Sequence, residues 1–384
     1  LAIISGHWRF AGLVISQDAP PWDAEEAGED YLVELHGFTW LRDLKAVGGD
    51  AGRRATRAFV DDWIAHNDRW HALTWRPDVL ASRISCWLGG HDFFCLSAET
   101  GFRQAVLQSL QRQASHLSRV VERSPEGLGR LEAIKALILS ALALRLPQGA
   151  LQRGVRLLDR ALDLQVLADG AQSERNPSVQ LAALRHLIDI RAALRQARVV
   201  APTRLQTSIE RMAPALRFYR HGDGGLALFN GSFEEGAYAV EHALTQADAL
   251  GRPLKSARES GFQRVMAGRT LVVMDTGRPP PAGLDRNAHA GPLAIEMSLG
   301  RDRVIVNCGH WAARDSEEDA AWFAALSATA AHSTLTVAST NAFTLGPRGG
   351  VERGPTRVAV DRKDTLRGVL IDDDDGVLRL GDDV

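Results

Sequence analysis

The stretch NAHAGPLAIEMSLGRDRVIVNCG, Asn287 to Gly309, sets a histidine among small residues, then two strand-like runs and a closing Asn-Cys-Gly. A turn at SLGRDR would pair the runs, bring Met297 near Val304, and leave Asn307 and Cys308 at the same end as His289. His332 precedes another strand-like run, STLTV. Imidazole nitrogen and thiolate sulfur are zinc donors. His289, Cys308 and His332, with Asn307 or water as a fourth partner, could therefore hold a zinc ion. The competing reading is that they are buried polar residues capping strand ends, since no compact spacing motif joins them.

Two further segments gather polar groups. DGAQSERNPSVQ, Asp169 to Gln180, holds Asp169, Gln172, Glu174, Arg175, Asn176 and Gln180. Pro177 suits the first turn of a helix and Asn176 its N-cap, so the plain reading is a capped helix start with a solvated Glu-Arg pair. The functional reading is a helix N-terminus that binds carboxylates. LRFYRHGDGGLALFNG, Leu216 to Gly231, clusters Tyr219, Arg220, His221 and Asp223 on a glycine-rich turn. Such groups can supply an acid, a base and a carboxylate site. They can equally make a hinge with a turn at HGDGG.

The elements that must position these residues fall into two kinds. From about residue 57 to 217 the apolar spacing is helical, as in ATRAFVDDWIAHN, GFRQAVLQSLQRQASHLSRVV and SVQLAALRHLIDIRAALRQA. Short joins holding Gly, Pro or Asp imply antiparallel helix packing. After about residue 220, β-branched runs such as GGLALFNG, TLVVMDTG, STLTVAST and RVAVDRKDTLRGVLIDDDDGVLRLG alternate with Gly, Asp and Asn. That pattern predicts an antiparallel β-sandwich. The fold class expected is multidomain α+β, with a helical domain over 1–218 and a sheet domain over 219–384. The chain starts at Leu1 and closes inside a strand-like pattern, so both domains are expected to be trimmed.

Composition sets wide bounds. The 384 residues carry a net charge of −2, which gives no reason to expect nucleic acid but leaves local basic clusters free to bind acidic ligands. Three cysteines cannot make a disulfide framework. The longest apolar run, ALILSALALRL, is too short to span a bilayer. Walker, Rossmann, nucleophile-elbow and HExxH motifs are absent. DDDDG lacks the glutamate of a calcium loop and reads as a solvated turn.

WRPDVLASRISCWL, DGAQSERNPSVQ, HGDGGLALFNG, NAHAGPLAIEMSLGRDRVIVNCG and AAHSTLTV occur in an order that resembles the heparinase II/III-like family of bacterial polysaccharide lyases. The resemblance runs from about Trp40 to the end. It implies an (α/α) toroid followed by a β-sandwich, an acidic polysaccharide as partner, and a periplasmic or cell-envelope location. The implied reaction is β-elimination at a uronate: the carboxylate is neutralised, a base removes the C5 proton, and an acid protonates the leaving C4 oxygen.

The family's catalytic groups carry over poorly. Its helical Asn-His pair should fall near Gly127 to Arg130, and its Tyr at Val179. Its sandwich His-x-His becomes Asn287-Ala288-His289, so Asn287 stands at the catalytic position. The family's zinc positions correspond to His289, Asn307 and His332, with Cys308 beside the altered one. Two expectations follow from the resemblance. One is a lyase with relocated groups: Tyr219 or His221 as acid and base, Asn287 in the catalytic position, and Glu174, Arg175, Asn176 and Gln180 on the substrate. The other is a catalytically impaired relative that binds glycan in the cell envelope.

Overall fold

The computed structural model describes residues 2–67, 69–311, 316–336, 339–347 and 349–354, with the backbone of 357–363, 365–373 and 376–380. The chain forms two compact units. One is built chiefly from residues 1–159 and 189–200, the other from 160–188, 201–312 and 317–384. The units follow packing rather than element type, so the second contains helices as well as sheet.

The first unit opens with a hairpin, β1 (His7–Phe10) and β2 (Leu13–Ser16), and continues with α1 (Glu29–Gly37), α2 (Leu41–Val47), α3 (Gly49–Asn67), α4 (Pro77–Phe94), α5 (Thr100–Val120) and α6 (Leu128–Ala143). The sequence LGRLEAIKALILSALA is apolar on nearly every side, as a core helix should be. Accordingly Leu131, Ala133, Ile134, Ala136, Leu137 and Ile138 of α6 are buried. An aromatic cluster fills the core: Phe38 stacks on Trp40 at 4.7 Å, and Trp63 meets Trp87 edge-on at 5.4 Å. Such pairs add about 0.5–1.5 kcal/mol each beyond the area they bury.

α7 (Ala150–Gln165) and α8 (Pro177–Gln196) each contribute to both units. The second unit adds α9 (Thr203–Phe218) and α10 (Ala237–Ala247), then the strands β3 (Ser256–Ala257), β4 (Phe262–Ala267), β5 (Thr270–Asp275), β6 (Ile295–Leu299) and β7 (Asp302–Ile305). These strands form one antiparallel meander. Next come α11 (Glu317–Ser327), the short pair β8 (Thr344–Leu345) and β9 (Val351–Arg353), and a three-stranded sheet of β10 (Arg357–Lys363), β11 (Thr365–Asp373) and β12 (Gly376–Leu380). β5 buries Leu271, Val273 and Asp275 on one face, the period of a half-buried strand.

Several expectations change. Two helices, α10 and α11, lie in the region read as strands. α10 buries Val240, Ala243, Leu244 and Ala247, a helical spacing. GGLALFNG is not a strand: only Leu226 bridges, to Arg220. Its amides are taken outside any sheet ladder, Ala227 N–H by the Tyr219 carbonyl at 2.9 Å and Leu228 N–H by the distant Glu296 Oε1 at 2.8 Å. The described part of STLTVAST is also outside any strand; Val337 and Ala338 lie outside the described residues, as do Asp374 and Asp375 of DDDDG. A bulge at Met297/Ser298 pairs Met297 with Ile305 rather than Val304.

Candidate functional site

The turn before α8 is built as the sequence suggests, but its side chains face inward. Asn176 Oδ1 accepts the Val179 N–H at 3.0 Å, an N-cap bond, and its amide donates to the Asn230 carbonyl at 2.7 Å. Ser232 Oγ donates to the same Oδ1 at 3.0 Å. Gln180 is consumed: Oε1 accepts the Gln172 N–H at 2.6 Å, and Nε2 donates to the Gly170 and Met212 carbonyls. Arg175 is buried at φ 55°. It donates to the carbonyls of Ser260 at 2.7 Å and Arg278 at 2.5 Å, pairs with Asp275, and lies 4.7 Å from the Phe262 ring centre. Burial raises the Asp275 carboxyl, opposed by Arg175 beside it. Glu174 is half-buried, with Oε1 accepting from Gln172 Nε2 at 3.1 Å. Of the expected substrate-binding set, Arg175, Asn176 and Gln180 therefore hold the fold together.

Tyr219 and His221 are walled in as well. Tyr219 is 1% exposed, edge-on to Phe262 at 5.2 Å, and burial pushes its phenol well above the usual range. His221 Nε2–H donates to Glu296 Oε2 at 3.0 Å, and Nδ1 meets Ser298 Oγ at 2.9 Å. Both side chains of the His221–Glu296 pair are fully buried. Glu296 Oε1 also accepts the Leu228 and Asn307 N–H groups. A proton-transfer group must reach its substrate, and this geometry keeps both residues from one. Asn287, half-buried, carries an amide, which neither accepts nor releases a proton at neutral pH.

The expected metal set is brought together only in part. His289 and His332 are buried and joined by a 3.0 Å Nδ1–Nε2 hydrogen bond. His332 Nδ1 donates to the Ala328 carbonyl at 2.8 Å, so its Nε2 is the acceptor of that bond. Asn307 spends its side chain on Glu296 and the Ser333 N–H. Cys308 is exposed, with Sγ 3.3 Å from the Leu326 carbonyl. Among the described residues no three His, Cys, Asp or Glu side chains are placed to hold a metal. Of the expected metal set, only His289 and His332 stand together.

A groove that the sequence reading missed lies in the first unit. It holds about 620 Å³ between the loop carrying Trp70 and Trp75 and the α5 residues Arg112, His116 and Arg119, with Arg145 also lining it. Trp70 is 68% exposed, and Trp75 meets His116 edge-on at 5.3 Å. Burial, then the nearby Arg119 and Arg123, lowers the His116 imidazole, which is therefore neutral at neutral pH. An exposed indole face beside guanidinium groups suits a sugar ring that carries an acidic group. Periodicity hides this groove because its residues come from separate elements.

With fold and groove in view, the class follows. Residues 249–376 match the family model "Heparinase II/III-like, C-terminal", so the chain carries a heparinase II/III-like C-terminal domain. It is 32% identical over 387 residues to the FtsZ-localized protein C of Caulobacter vibrioides (strain NA1000 / CB15N), covering 96% of this chain and 64% of that protein. Among solved structures it resembles heparinase III, with TM-score 0.72, 11% identity, and 95% of this chain against 61% of that one. It also resembles the heparan sulfate lyase HepC of Pedobacter heparinus, with TM-score 0.60, 17% identity, and 96% of this chain against 62% of that one. The fold is thus the helical toroid with antiparallel β-sandwich expected from the sequence. The chain spans a little under two thirds of the length of these relatives. No helix among the described residues is long and apolar enough to cross a membrane.

Proposed function

We propose that this chain binds an acidic glycan on a lyase scaffold and does not cleave it. The groove of Trp70, Trp75, Arg112, Arg119 and Arg145 carries the reading, because it offers stacking and anion pairing together. The buried state of Tyr219 and His221 supports the non-cleaving half of it, as does an amide at Asn287. β-Elimination requires a base at the C5 proton; the buried Tyr219 and His221 side chains do not reach one, and the Asn287 amide is no base. Incubation with heparan, alginate, pectin and chondroitin-type polymers should give no ultraviolet absorbance from a new C4–C5 double bond. Glycan-array binding that Trp70→Ala and Arg119→Gln abolish is the expected result. Turnover that disappears in His116→Ala would instead make the chain a polysaccharide lyase with that imidazole as its base.

The 32% identity across nearly the whole chain favours a second reading, in which this protein localises with FtsZ as its Caulobacter relative is named for doing. A fluorescent fusion that follows FtsZ supports it. Recovery of the fusion only with exported envelope proteins removes it.

A further inference from the structure

Two adjoining hollows of about 470 and 440 Å³ lie in the second unit, around the turns at Gly222 and Gly300. They share Arg220, Arg264 and Arg301; Arg217 lines one and Arg269 the other. In sequence Gly300 follows the end of β6, whereas His289 precedes its start, so this is not the strand end at which the zinc set was expected. The floor is glycine backbone. A Cβ on Gly222 would stand 1.7 Å from the Gly300 carbonyl oxygen, so the two turns meet only because that carbon is missing. At φ 61° Gly300 also leaves space for Arg269, whose Nη2 would lie 2.6 Å from a Cβ there.

The acids close by are already engaged. Asp223 takes Arg303 at 2.7 Å, and Glu241 takes Arg220 at 2.7 Å. Among the described residues Arg217, Arg264, Arg269 and Arg301 have no carboxylate partner. Arg217 Nη1 and Arg264 Nε are buried and meet no acceptor there, although buried donors are almost always paired. Among the described residues no Trp, Tyr or Phe lines either hollow, so neither offers an indole or phenyl face to a sugar ring.

We propose that this cleft binds a ligand bearing two or more neighbouring phosphoryl groups. Guanidinium forks match phosphoryl oxygens two at a time, and such charge-assisted bonds are roughly twice as strong as neutral ones. Paired hollows sharing three arginines suit a short run of phosphoryl groups better than a single one.

Calorimetric titration of the whole chain with inorganic tripolyphosphate, pyrophosphate and orthophosphate tests the cleft. Tripolyphosphate should bind tightest, and more weakly as salt rises. Arg264→Gln and Arg301→Gln should each weaken it about tenfold or more, the scale of one lost charge-assisted pair. Arg301 is exposed, so its variant keeps the test decisive should Arg264→Gln fail to fold. Vesicles carrying phosphatidylinositol bisphosphate, set against plain phosphatidylcholine, separate a lipid headgroup from a soluble phosphate compound. Tripolyphosphate binding through Arg264 and Arg301 supports the cleft, and vesicle binding through the same arginines in addition assigns it a lipid headgroup. Tripolyphosphate binding that is absent, or that ignores both substitutions, overturns it. So does heparin oligosaccharide binding through these arginines while tripolyphosphate is refused. Trp70→Ala should leave tripolyphosphate binding unchanged, which separates failure here from failure of the glycan groove.

Discussion

Two arginines are buried in this protein by opposite means. In the first unit Arg83 has no carboxylate partner among the described residues. It donates at 2.8 Å to Gln113 Oε1 and to the carbonyls of His36 and Thr74, and its guanidinium lies 4.1 Å from the Trp63 ring centre. Burial pushes it down to about 9, still protonated at neutral pH. In the second unit Arg175 ties the turn before α8 to Asp275 at the end of β5, and to the Ser260 and Arg278 carbonyls. One cation is dissolved in neutral acceptors and an aromatic face; the other is half of an ion pair. The same residue type is therefore a packing device in one place and a cross-link in the other.

The largest expected effect separates the two directly. Arg175→Met strands the Asp275 carboxylate and should cost about 3–5 kcal/mol by urea unfolding, the usual penalty for an uncompensated buried charge. Adding Asp275→Asn should recover part of that loss, because the stranded charge is gone. If it recovers nothing, the pair is not what couples these segments. Arg83→Met leaves only neutral acceptors unpaired and should cost about 1–3 kcal/mol per orphaned group, with no acidic substitution able to rescue it.

Acid sharpens the contrast further. His36 accepts the Trp63 indole N–H on Nδ1 at 3.0 Å and donates from Nε2 to the Trp22 carbonyl at 3.0 Å, so it is held neutral. Burial, then the charge of Arg83, lowers it to about 3. The unfolded chain takes up this proton near pH 6.5 and the folded chain only near 3. Stability from this group is thus full above about pH 6.5 and falls as pH drops towards 3, by roughly 1.4 kcal/mol per pH unit. Tryptophan fluorescence follows it, since Trp8, Trp22, Trp40, Trp63 and Trp87 all lie in the first unit. A flat profile over that range would contradict the neutral assignment. The smallest effect is Asn176→Ala, which removes one helix cap beside the Arg175 link and should cost about 1 kcal/mol.

The helices from α3 to α6 were legible because apolar residues recur at helical spacing from about residue 57, whereas the β1–β2 hairpin, α1 and α2 precede that run; the Asn176 cap was legible because its bond is local. The roles of Glu174, Arg175 and Gln180 were not, since their partners stand far away in sequence, as Ser260 and Asp275 do for Arg175. Polar residues in one short segment look like a site whether they face a ligand or the core. β6 makes the same point. Its buried positions are Glu296 and Ser298, while Ile295 and Met297 are only half-buried, the reverse of what hydropathy alternation suggests. Only the arrival of His221 and Asn307 over that face explains it.

By itself, the sequence determined the helical run from α3 to α9, the Asn176 cap and the resemblance to heparinase II/III-like proteins, because each rests on short-range periodicity or on ordered motifs. Tertiary structure decided which charged and polar groups are spent on the fold and which remain available to a ligand. It turned Tyr219 and His221 inward and gathered Trp70 with Arg119, and Arg217 with Arg301. The physical reason is that burial and ion pairing are set by neighbours in space, and a one-dimensional pattern carries no record of which distant residue will arrive.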